Sequence, residues 1–272
     1  MSALTTSSVG VLFRLIGASM RSQAQYPASA IMLTIGQFFA AIIEIIAVWA
    51  LFDRFGNVHG WRFGEVAIFY GLVNIMFAIA DVLTRGFDVL GKDLIRTGAF
   101  DRLLLRPRSL TLQLVGHDFR VSRVGRLLQG LIVLIVGSGM ANVEWSVTAI
   151  AVALWAVAGG VALFFGLLVL QGTMSFWTIE GLELANVLTY GGVQAAQFPL
   201  SLYSVWFRGF LTFIVPLACV AYFPVLAILG RADPLGAPAW VGYVSPAAGF
   251  IFLGVSFLVW RIGVSHYTST GT

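Results

Sequence analysis

The sequence contains very little cysteine and little charge. Cys219 is the only cysteine among 272 residues, so the chain forms no intramolecular disulfide and offers no cysteine-based metal site. Charged residues make up 10% of the chain and hydrophobic residues 59%, with a mean hydropathy of +0.92. One soluble core cannot hide so much apolar surface, which excludes a soluble globular protein.

Groups that carry chemistry are also scarce. The three histidines, at positions 59, 117 and 266, are far apart, and no Ser-His-Asp or paired-carboxylate spacing is present, so we predict no metal or catalytic site. Residues 86–92 fit the phosphate-loop pattern G-x-x-x-x-G-K. However, Asp93 follows where a Ser or Thr would hold magnesium, and the segment follows an apolar run instead of a strand. We predict no cofactor in this chain, so any ATP chemistry must come from another chain.

Long apolar runs dominate the sequence. They are about 20 residues long, the length that a helix needs to cross a hydrocarbon core. They are rich in Leu and Ala without the short alternation of a β-barrel strand. We therefore predict an all-α membrane protein with a single transmembrane domain over residues 1–272. The six transmembrane helices are predicted at residues 30–52, 65–83, 119–140, 147–170, 209–229 and 243–260.

Two segments fall outside these spans. Residues 10–25 place apolar side chains near one helical face with Arg14 and Arg21 between them, which predicts an interfacial N-terminal helix. Residues 171–208 mix polar side chains with aromatics, and we interpret them as a long cytoplasmic extension followed by an interfacial segment. A broken or re-entrant helix is the main alternative, because Gly191-Gly192 and Pro199 allow one where protein covers the freed backbone.

Basic residues are concentrated in residues 85–126. This segment holds nine of the sixteen basic residues and keeps a net charge of +5 after its four acids. With both termini inside, the cytoplasmic side collects thirteen basic residues, Arg208 included, and the outside three, which predicts a multi-pass protein of that orientation. Arg120, Arg123 and Arg126, at the start of the third span, are expected to snorkel to the cytoplasmic interface. Topology and anionic lipid explain the basic charge, so we predict membrane lipids as partners and no nucleic acid.

Few ionisable residues fall inside the predicted spans. Glu44 lies at mid-depth in the first span, where a carboxylate is costly unless it faces the bundle interior or water. Two interpretations stay open: a carboxylate that contacts cargo, or a packing residue hydrogen-bonded to Gln37 or Asn74. Gln37, Glu44 and Asn74 are therefore our candidates for a cargo cavity. Asp81 is expected to pair with Arg85 four residues later.

A short amphipathic stretch lies within the basic segment. A turn at Thr97-Gly98 precedes it and Pro107 ends it, which predicts a small helix outside the membrane. Such a helix offers a partner an apolar anchor ringed by charges. The anchor is expected from Phe100, Leu103 and Leu104, and the charged ring from Asp101, Arg102 and Arg106.

Two blocks of sequence carry a resemblance to a known family. Residues 98–107, GAFDRLLLRP, resemble the cytoplasmic-loop signature of small ABC-2 type permease subunits of bacterial ABC exporters. Residues 175–180, SFWTIE, are similar to the same family, and the likeness continues through Asn186 and residues 189–203. The blocks occur in the family's order, and the resemblance covers nearly the whole chain.

The resemblance implies six spans, an interfacial N-terminal helix and a cytoplasmic coupling helix between spans two and three. It implies two permease subunits, identical or paralogous, docked on two copies of a separate ABC ATP-binding subunit in the bacterial inner membrane. The residues that it assigns to ATPase coupling are Gly98, Phe100, Asp101, Arg102, Leu103, Leu104, Arg106 and Pro107.

The few charges inside the spans favour export of an amphiphilic or hydrophobic compound over ion-coupled transport. An intramembrane enzyme or a non-transporting assembly scaffold is the alternative from a different class. An enzyme would need convergent polar residues at one depth, which only Gln37, Glu44 and Asn74 offer.

Overall fold

The computed structural model describes residues 17, 21, 27–106, 109–115, 123–178 and 181–267, with the backbone alone at residues 30, 41, 92 and 181–185. Every regular element of these ranges is a helix, which confirms the all-α prediction for that part of the chain. The predicted interfacial helix at residues 10–25 lies outside the described residues.

The helices follow one another without a soluble domain between them in the described ranges. The α-helices are α1 (Pro27–Phe55), α2 (Phe63–Asp88), α3 (Ala99–Leu104), α4 (Leu110–Val115), α5 (Val124–Met140), α6 (Val147–Met174), α7 (Gly181–Ala196), α8 (Val205–Gly209), α9 (Phe223–Leu229), α10 (Val241–Val244) and α11 (Ala247–His266). Segments of π-helix cover Leu90–Ile95, Phe210–Ile214 and Ala218–Tyr222, and a 3₁₀ turn covers Leu200–Leu202.

Four helices are long and apolar enough to cross a membrane: α1, α2 with its extension to Ile95, α6 and α11. A fifth is added if the bent pair Val205–Ile214 and Ala218–Leu229 is one span. α5 is apolar but has only 17 residues, and residues 119–122 of its predicted span are outside the described ranges. The described residues thus contain four or five candidate spans, whereas the sequence predicted six.

α2 is the centre of the bundle and α1 is at its periphery. The most apolar window of α2 is 83% buried within the chain, and that of α1 is 0% buried. Lipid gives apolar helices no reason to associate, so close packing has to hold them together. Gly71 of α2 faces Gly130 of α5, where an added methyl group would lie 2.9 Å from the Gly130 carbonyl oxygen, and Gly137 faces Gly64 in the same way. The two helices therefore run antiparallel in close contact.

α6 and α11 run parallel and meet through small residues at seven-residue intervals. The contacts are Gly159 with Gly249, Gly166 with Ser256, and Thr173 with Gly263. A methyl group on Gly166 would lie 2.8 Å from Ser256 Oγ, and one on Gly249 would overlap the Gly159 carbonyl oxygen. Small residues allow this approach of two helix backbones. We call these two helices the α6–α11 pair.

The two ends of the bundle are distinguished by their side chains. One end holds Asp88, Asp101 and Tyr267, and we call it the basic end after the net positive charge of residues 85–126. The opposite end lies beyond the start of α2, and we call it the Trp61 end. At the Trp61 end, Arg231 Nη1 donates to Glu65 Oε1 at 2.8 Å, and its guanidinium lies 4.0 Å from the centre of the Trp61 ring. The loop before α10 is therefore tied to the turn between α1 and α2.

Residues 171–203 connect these two ends. At the basic end, Gln171 Nε2 donates to Asp88 Oδ1 and to Asn186 Oδ1, both at 2.8 Å. At the Trp61 end, Trp61 Nε1 donates to Ser201 Oγ at 2.9 Å. α7 and the residues after it therefore run from one end to the other, and the predicted cytoplasmic extension is wrong. Gln171 and Asn186 are paired with each other inside the bundle, where a buried polar group needs a hydrogen-bond partner.

The predicted fifth span, residues 209–229, is bent. The segments Val205–Ile214 and Ala218–Leu229 meet at 83°, with Pro216 in the break between them. Proline has no N–H to continue a helical ladder, which explains the break. Just before it, Arg208 donates to the carbonyl oxygens of Tyr203 at 2.6 Å and Ser201 at 3.2 Å. Arg208 therefore lies at the Trp61 end, and its predicted cytoplasmic placement beside the basic segment is wrong.

The last span begins and ends later than predicted. Pro246 is the N-cap of α11, which runs to His266 and leaves residues 241–244 as the separate helix α10. A proline fits the first positions of a helix and interrupts one that precedes it, so the chain restarts at Pro246.

Candidate functional site

The segment predicted to couple to an ATPase folds as α3 at the basic end. Gly98 precedes α3 with a φ of 68°, a left-handed conformation that glycine adopts without strain. This turn redirects the chain from the preceding π-helix into α3. Gln113 Nε2 donates to the Leu103 carbonyl oxygen at 3.2 Å and so ties α3 to α4. Pro107, predicted to end the helix, lies outside the described residues.

The inner face of α3 is covered by the chain itself. Phe100 is 0% exposed and Leu103 is 6% exposed. The Phe100 ring centre lies 5.4 Å from that of Phe176 and 4.9 Å from that of Tyr267. We predicted Phe100 and Leu103 as an anchor offered to a partner, and their geometry contradicts this, because the aromatic residues that follow α6 and α11 already pack on that face.

The outer face of α3 carries the accessible side chains. Leu104 is 41% exposed and Leu105 is 84% exposed, and the flanking Arg102 and Arg106 are exposed as well. Apolar side chains with a charged rim form an arrangement that suits a protein interface. Leu104 and Leu105, in contrast to Phe100 and Leu103, are therefore accessible to a partner.

Asp101 is held by the end of the last helix. The Tyr267 hydroxyl donates to Asp101 Oδ1 at 2.9 Å, across 166 positions of sequence. Burial, followed by the hydrogen bond and the charge of Asp101, raises the pKa of Tyr267 to about 12. The hydroxyl therefore keeps its proton at neutral pH and remains the donor. Sequence reasoning missed Tyr267 because no local pattern connects residues so far apart.

Aromatic rings extend this contact to the centre of the bundle. Phe176 lies 5.4 Å from Trp260 in α11, and Trp260 lies 5.1 Å from Phe87 in α2. Aromatic pairs at such distances contribute about 0.5–1.5 kcal/mol each beyond the burial of their surface. α3 is therefore attached through its inner face to α2, α6 and α11.

A column of polar side chains lies between α2 and α5. Arg126 Nε donates to Asn74 Oδ1 at 2.8 Å, and the guanidinium lies 4.8 Å from the centre of the Phe77 ring. Arg123 Nε lies 2.9 Å from Oδ2 of Asp81. The predicted snorkelling of Arg123 and Arg126 to the interface is wrong, because both find partners inside the bundle. Arg120 lies outside the described residues.

The column ends in a second ion pair near the basic end. Arg85 pairs with Asp88, three residues later, and Asp81 pairs with Arg123. The predicted pair of Asp81 with Arg85 is therefore replaced by two pairs. Asp88 also accepts the hydrogen bond from Gln171, so this part of the column reaches α6.

The three candidates for a cargo cavity differ in their exposure. Glu44 Oε2 accepts a hydrogen bond from the Tyr70 hydroxyl at 2.9 Å, and Glu44 is exposed on α1. Gln37 is exposed two turns earlier on α1. Asn74 is 0% exposed and its Nδ2 donates to the Tyr70 carbonyl oxygen at 2.8 Å. Tyr70 therefore connects Glu44 with Asn74, and only Glu44 and Gln37 face outward.

Two cavities open at the Trp61 end. One measures about 530 Å³ and its lining includes Phe223, Arg231 and Asp233. The other measures about 550 Å³, and Asn142, Glu144 and Ser146 are part of its lining. Tyr243 of α10 lines both cavities and so lies on the wall between them. Neither cavity includes Gln37, Glu44 or Asn74.

The phosphate-loop pattern at residues 86–92 lies where α2 ends. Gly86 packs so closely on Leu114 that an added methyl group would overlap the Leu114 carbonyl oxygen. This glycine serves helix packing and does not begin a loop that surrounds phosphate. Across residues 27–106, 109–115, 123–178 and 181–267, no three His, Cys, Asp or Glu side chains form a group that would hold a metal ion.

Comparison with known proteins identifies the family. A family model described as "ABC-2 family transporter protein" matches residues 38–271, a range that extends from α1 through α3 to the end of α11. Comparisons with curated proteins and with solved structures found no match. The match covers most of the chain, and the chain belongs to the ABC-2 transporter family.

Proposed function

We propose that this chain is the permease subunit of an ABC exporter that moves an amphiphilic or hydrophobic compound out of the bacterial cytoplasm. Membership of the ABC-2 family implies an ABC ATP-binding subunit as partner. The complex would contain two ATP-binding subunits, which bind ATP and Mg²⁺, and two permease subunits, identical or paralogous. The basic end would face the cytoplasm, with both termini there, because basic residues concentrate at that end.

The observation that carries this proposal is the two-sided packing of α3. Its inner residue Phe100 is fully buried against the bundle, and its outer residue Leu105 is 84% exposed between basic side chains. A force applied by a partner to the outer face therefore reaches the spanning helices through the inner face. A helix that only rested on lipid would not need such an attachment.

The electrostatics of the spans support an amphiphilic or hydrophobic cargo. Asp81 is paired with Arg123, and Arg85 with Asp88. These charges cancel each other within the chain, and the exposed carboxylates of α1 are Glu44 and, near the end of the helix, Asp53. Ion-coupled transporters instead use unpaired carboxylates inside the membrane to bind their coupling ion. The outward direction follows from the resemblance of both sequence blocks to exporter permeases.

The arrangement of Gln37, Glu44 and Asn74 argues against the alternative interpretation of the chain as an intramembrane enzyme. An active site needs side chains that converge on one point. Asn74 is buried and bonded to Arg126, whereas Gln37 is exposed on the outer side of α1. These residues do not converge on a substrate position.

Co-purification tests the proposed function. The tagged permease would be isolated from its native membranes in wild-type form, as Leu105→Asp and, as a control at the Trp61 end, as Asn57→Asp. We expect an ATP-binding subunit with vanadate-sensitive ATP hydrolysis to accompany the wild type and Asn57→Asp and to be lost with Leu105→Asp. Hydrolysis should rise when the amphiphilic dye rhodamine 6G is added to the isolated complex. Absence of any ATPase from the wild-type preparation would favour the scaffold interpretation.

A further inference from the structure

The contact between α3 and the end of α11 has two chemically different parts. The Tyr267 hydroxyl donates to Asp101 Oδ1 at 2.9 Å, and the Tyr267 ring meets the Phe100 ring at 79°. The hydrogen bond fixes the direction of the tyrosine, and the ring contact fixes its distance from the helix. α3 therefore cannot shift without moving Tyr267 or breaking both interactions. We call this set, Phe100, Asp101 and Tyr267, the α3–α11 contact.

The α6–α11 pair is built to move as one body. Its contacts at Gly159, Gly166 and Gly263 leave no room for a methyl group, so one helix cannot slide along the other without backbone overlap. Phe176, just beyond α6, packs on Phe100 at 5.4 Å and on Tyr267 at 5.8 Å. Both helices of the pair therefore end on α3.

The opposite end of α11 joins the wall between the two cavities. α10 contains Tyr243, which lines both cavities, and only Ser245 and Pro246 separate α10 from α11. The Ser245 hydroxyl donates to the Cys219 carbonyl oxygen at 2.7 Å. A displacement of α11 therefore reaches Tyr243 and, through Ser245, the bent segment that contains Cys219.

We propose that Tyr267 is a positioning residue that transmits the movement of α3 along the α6–α11 pair to the cavities at the Trp61 end. The inference rests on the proposed function, since it assigns a path for force inside that permease. An ATPase that displaces α3 pulls on Tyr267 through Asp101 and Phe100. The pair carries this displacement through its length and changes the shape of both cavities.

The test measures conformational change at the Trp61 end, so it needs no identified cargo. Leu235→Cys, in a Cys219→Ala background, places one thiol in the loop before α10. Labelling with a membrane-impermeant maleimide is timed in the complex with its co-purified ATP-binding subunit, with and without ATP and vanadate. Tyr267→Phe removes the hydroxyl and keeps the ring. Tyr190→Phe is the matched control, because the Tyr190 hydroxyl makes no hydrogen bond within the described part of the chain.

We expect nucleotide to change the labelling rate in the parent and in Tyr190→Phe. In Tyr267→Phe that change should shrink by about tenfold, the effect of losing a hydrogen bond to a carboxylate. ATPase association and basal hydrolysis should stay at parental levels. Asp101→Ala removes the acceptor of the same hydrogen bond, so its nucleotide-dependent change in labelling rate should shrink by a similar factor, and combining it with Tyr267→Phe should shrink that change no further.

Three other outcomes overturn the inference, and they differ in what they say about the exporter. If Tyr267→Phe responds to nucleotide as Tyr190→Phe does, Tyr267 transmits nothing, while the proposed function stands. If Tyr267→Phe loses the ATP-binding subunit, Tyr267 only supports the fold of α3. If the parent protein captures no ATP-binding subunit, the proposed function fails and this inference fails with it.

Discussion

Arg123 places its Nε 2.9 Å from Oδ2 of Asp81 and thereby joins the start of α5 to the most buried charge of α2. The Asp81 side chain is 1% exposed, and that of Arg123 is 17% exposed. A buried carboxylate is costly unless a cation accompanies it. The pair therefore adds an ionic contact to the close glycine packing that already holds α5 against α2.

Removal of Arg123 should be strongly destabilising. Arg123→Ala leaves the Asp81 carboxylate buried without its closest cation, so we expect the free energy of unfolding to fall by about 3–5 kcal/mol. Thermal unfolding in detergent, followed by intrinsic tryptophan fluorescence, measures the effect. The control is Arg102→Ala, an exposed arginine of the same end, which should change little. Equal stability of the two variants would show that the pair contributes nothing.

A methyl group on Gly249 should loosen the α6–α11 pair. It would overlap the Gly159 carbonyl oxygen, and overpacking of this kind costs about 1–3 kcal/mol. Gly254→Ala in the same helix is the matched control, because nothing lies within 4 Å of its added methyl. We expect lower thermal stability for Gly249→Ala and unchanged or slightly higher stability for Gly254→Ala. Identical melting temperatures would contradict the close contact.

The two faces of α3 should respond differently to truncation. Leu105→Ala should weaken association with the ATP-binding subunit by about 1–3 kcal/mol, a usual range for an interface anchor, and leave permease stability unchanged. Phe100→Ala should lower permease stability, because Phe100 packs on Phe176 and Tyr267. Titration of the purified ATP-binding subunit onto each variant separates the effects. Loss of affinity in Phe100→Ala with full stability would restore the original anchor assignment.

Glu44→Gln should affect transport more than folding. The amide oxygen still accepts the hydrogen bond from Tyr70, and the side chain is exposed on α1, so we expect a stability change below about 1 kcal/mol. Transport of a cationic amphiphile such as rhodamine 6G into inverted vesicles should fall if the carboxylate contacts cargo. Gln37→Ala changes an uncharged side chain on the same helix and shows whether any effect on transport requires the carboxylate. A proportional loss of stability and transport would support the packing interpretation instead.

The proposed orientation predicts which cysteines an external reagent should reach. In a Cys219→Ala background, Asn57→Cys and Leu235→Cys should be labelled by a membrane-impermeant maleimide in intact cells, and Arg108→Cys should react only after permeabilisation. The charge bias of residues 85–126 is the physical reason. Rapid labelling at position 108 in intact cells would reverse the topology.

Sequence alone predicted the elements that depend on local apolar length. The first span, predicted at 30–52, lies within Pro27–Phe55, and the fourth, predicted at 147–170, lies within Val147–Met174. Uninterrupted apolar runs have no other stable arrangement in a bilayer than helix. The short helix after Gly98 was predicted as well, because a glycine turn and a following amphipathic pattern are both local signals.

Residues 171–208 were misread because their pairing is not local. Gln171 and Asn186 look like solvent-exposed polar residues until Asp88 of α2 is placed beside them. The inner side of α3 was misassigned for the same reason. Phe100 and Leu105 are both apolar, so the sequence does not distinguish them. In the structure Phe176 and Tyr267 cover Phe100 and leave Leu105 exposed. The positive charge of Arg123 likewise did not show whether its side chain faces water or pairs with Asp81.

The seven-residue spacing of the α6–α11 contacts ties the lengths of two distant stretches of chain to each other. One residue inserted between Gly159 and Gly166 would rotate everything after it by about 100° about the axis of α6. Both later contacts, at Ser256 and at Gly263, would then meet the wrong side of the helix. Insertions and deletions that accumulate among related chains belong in the turns outside these stretches. A reporter domain or an epitope inserted for engineering belongs there too.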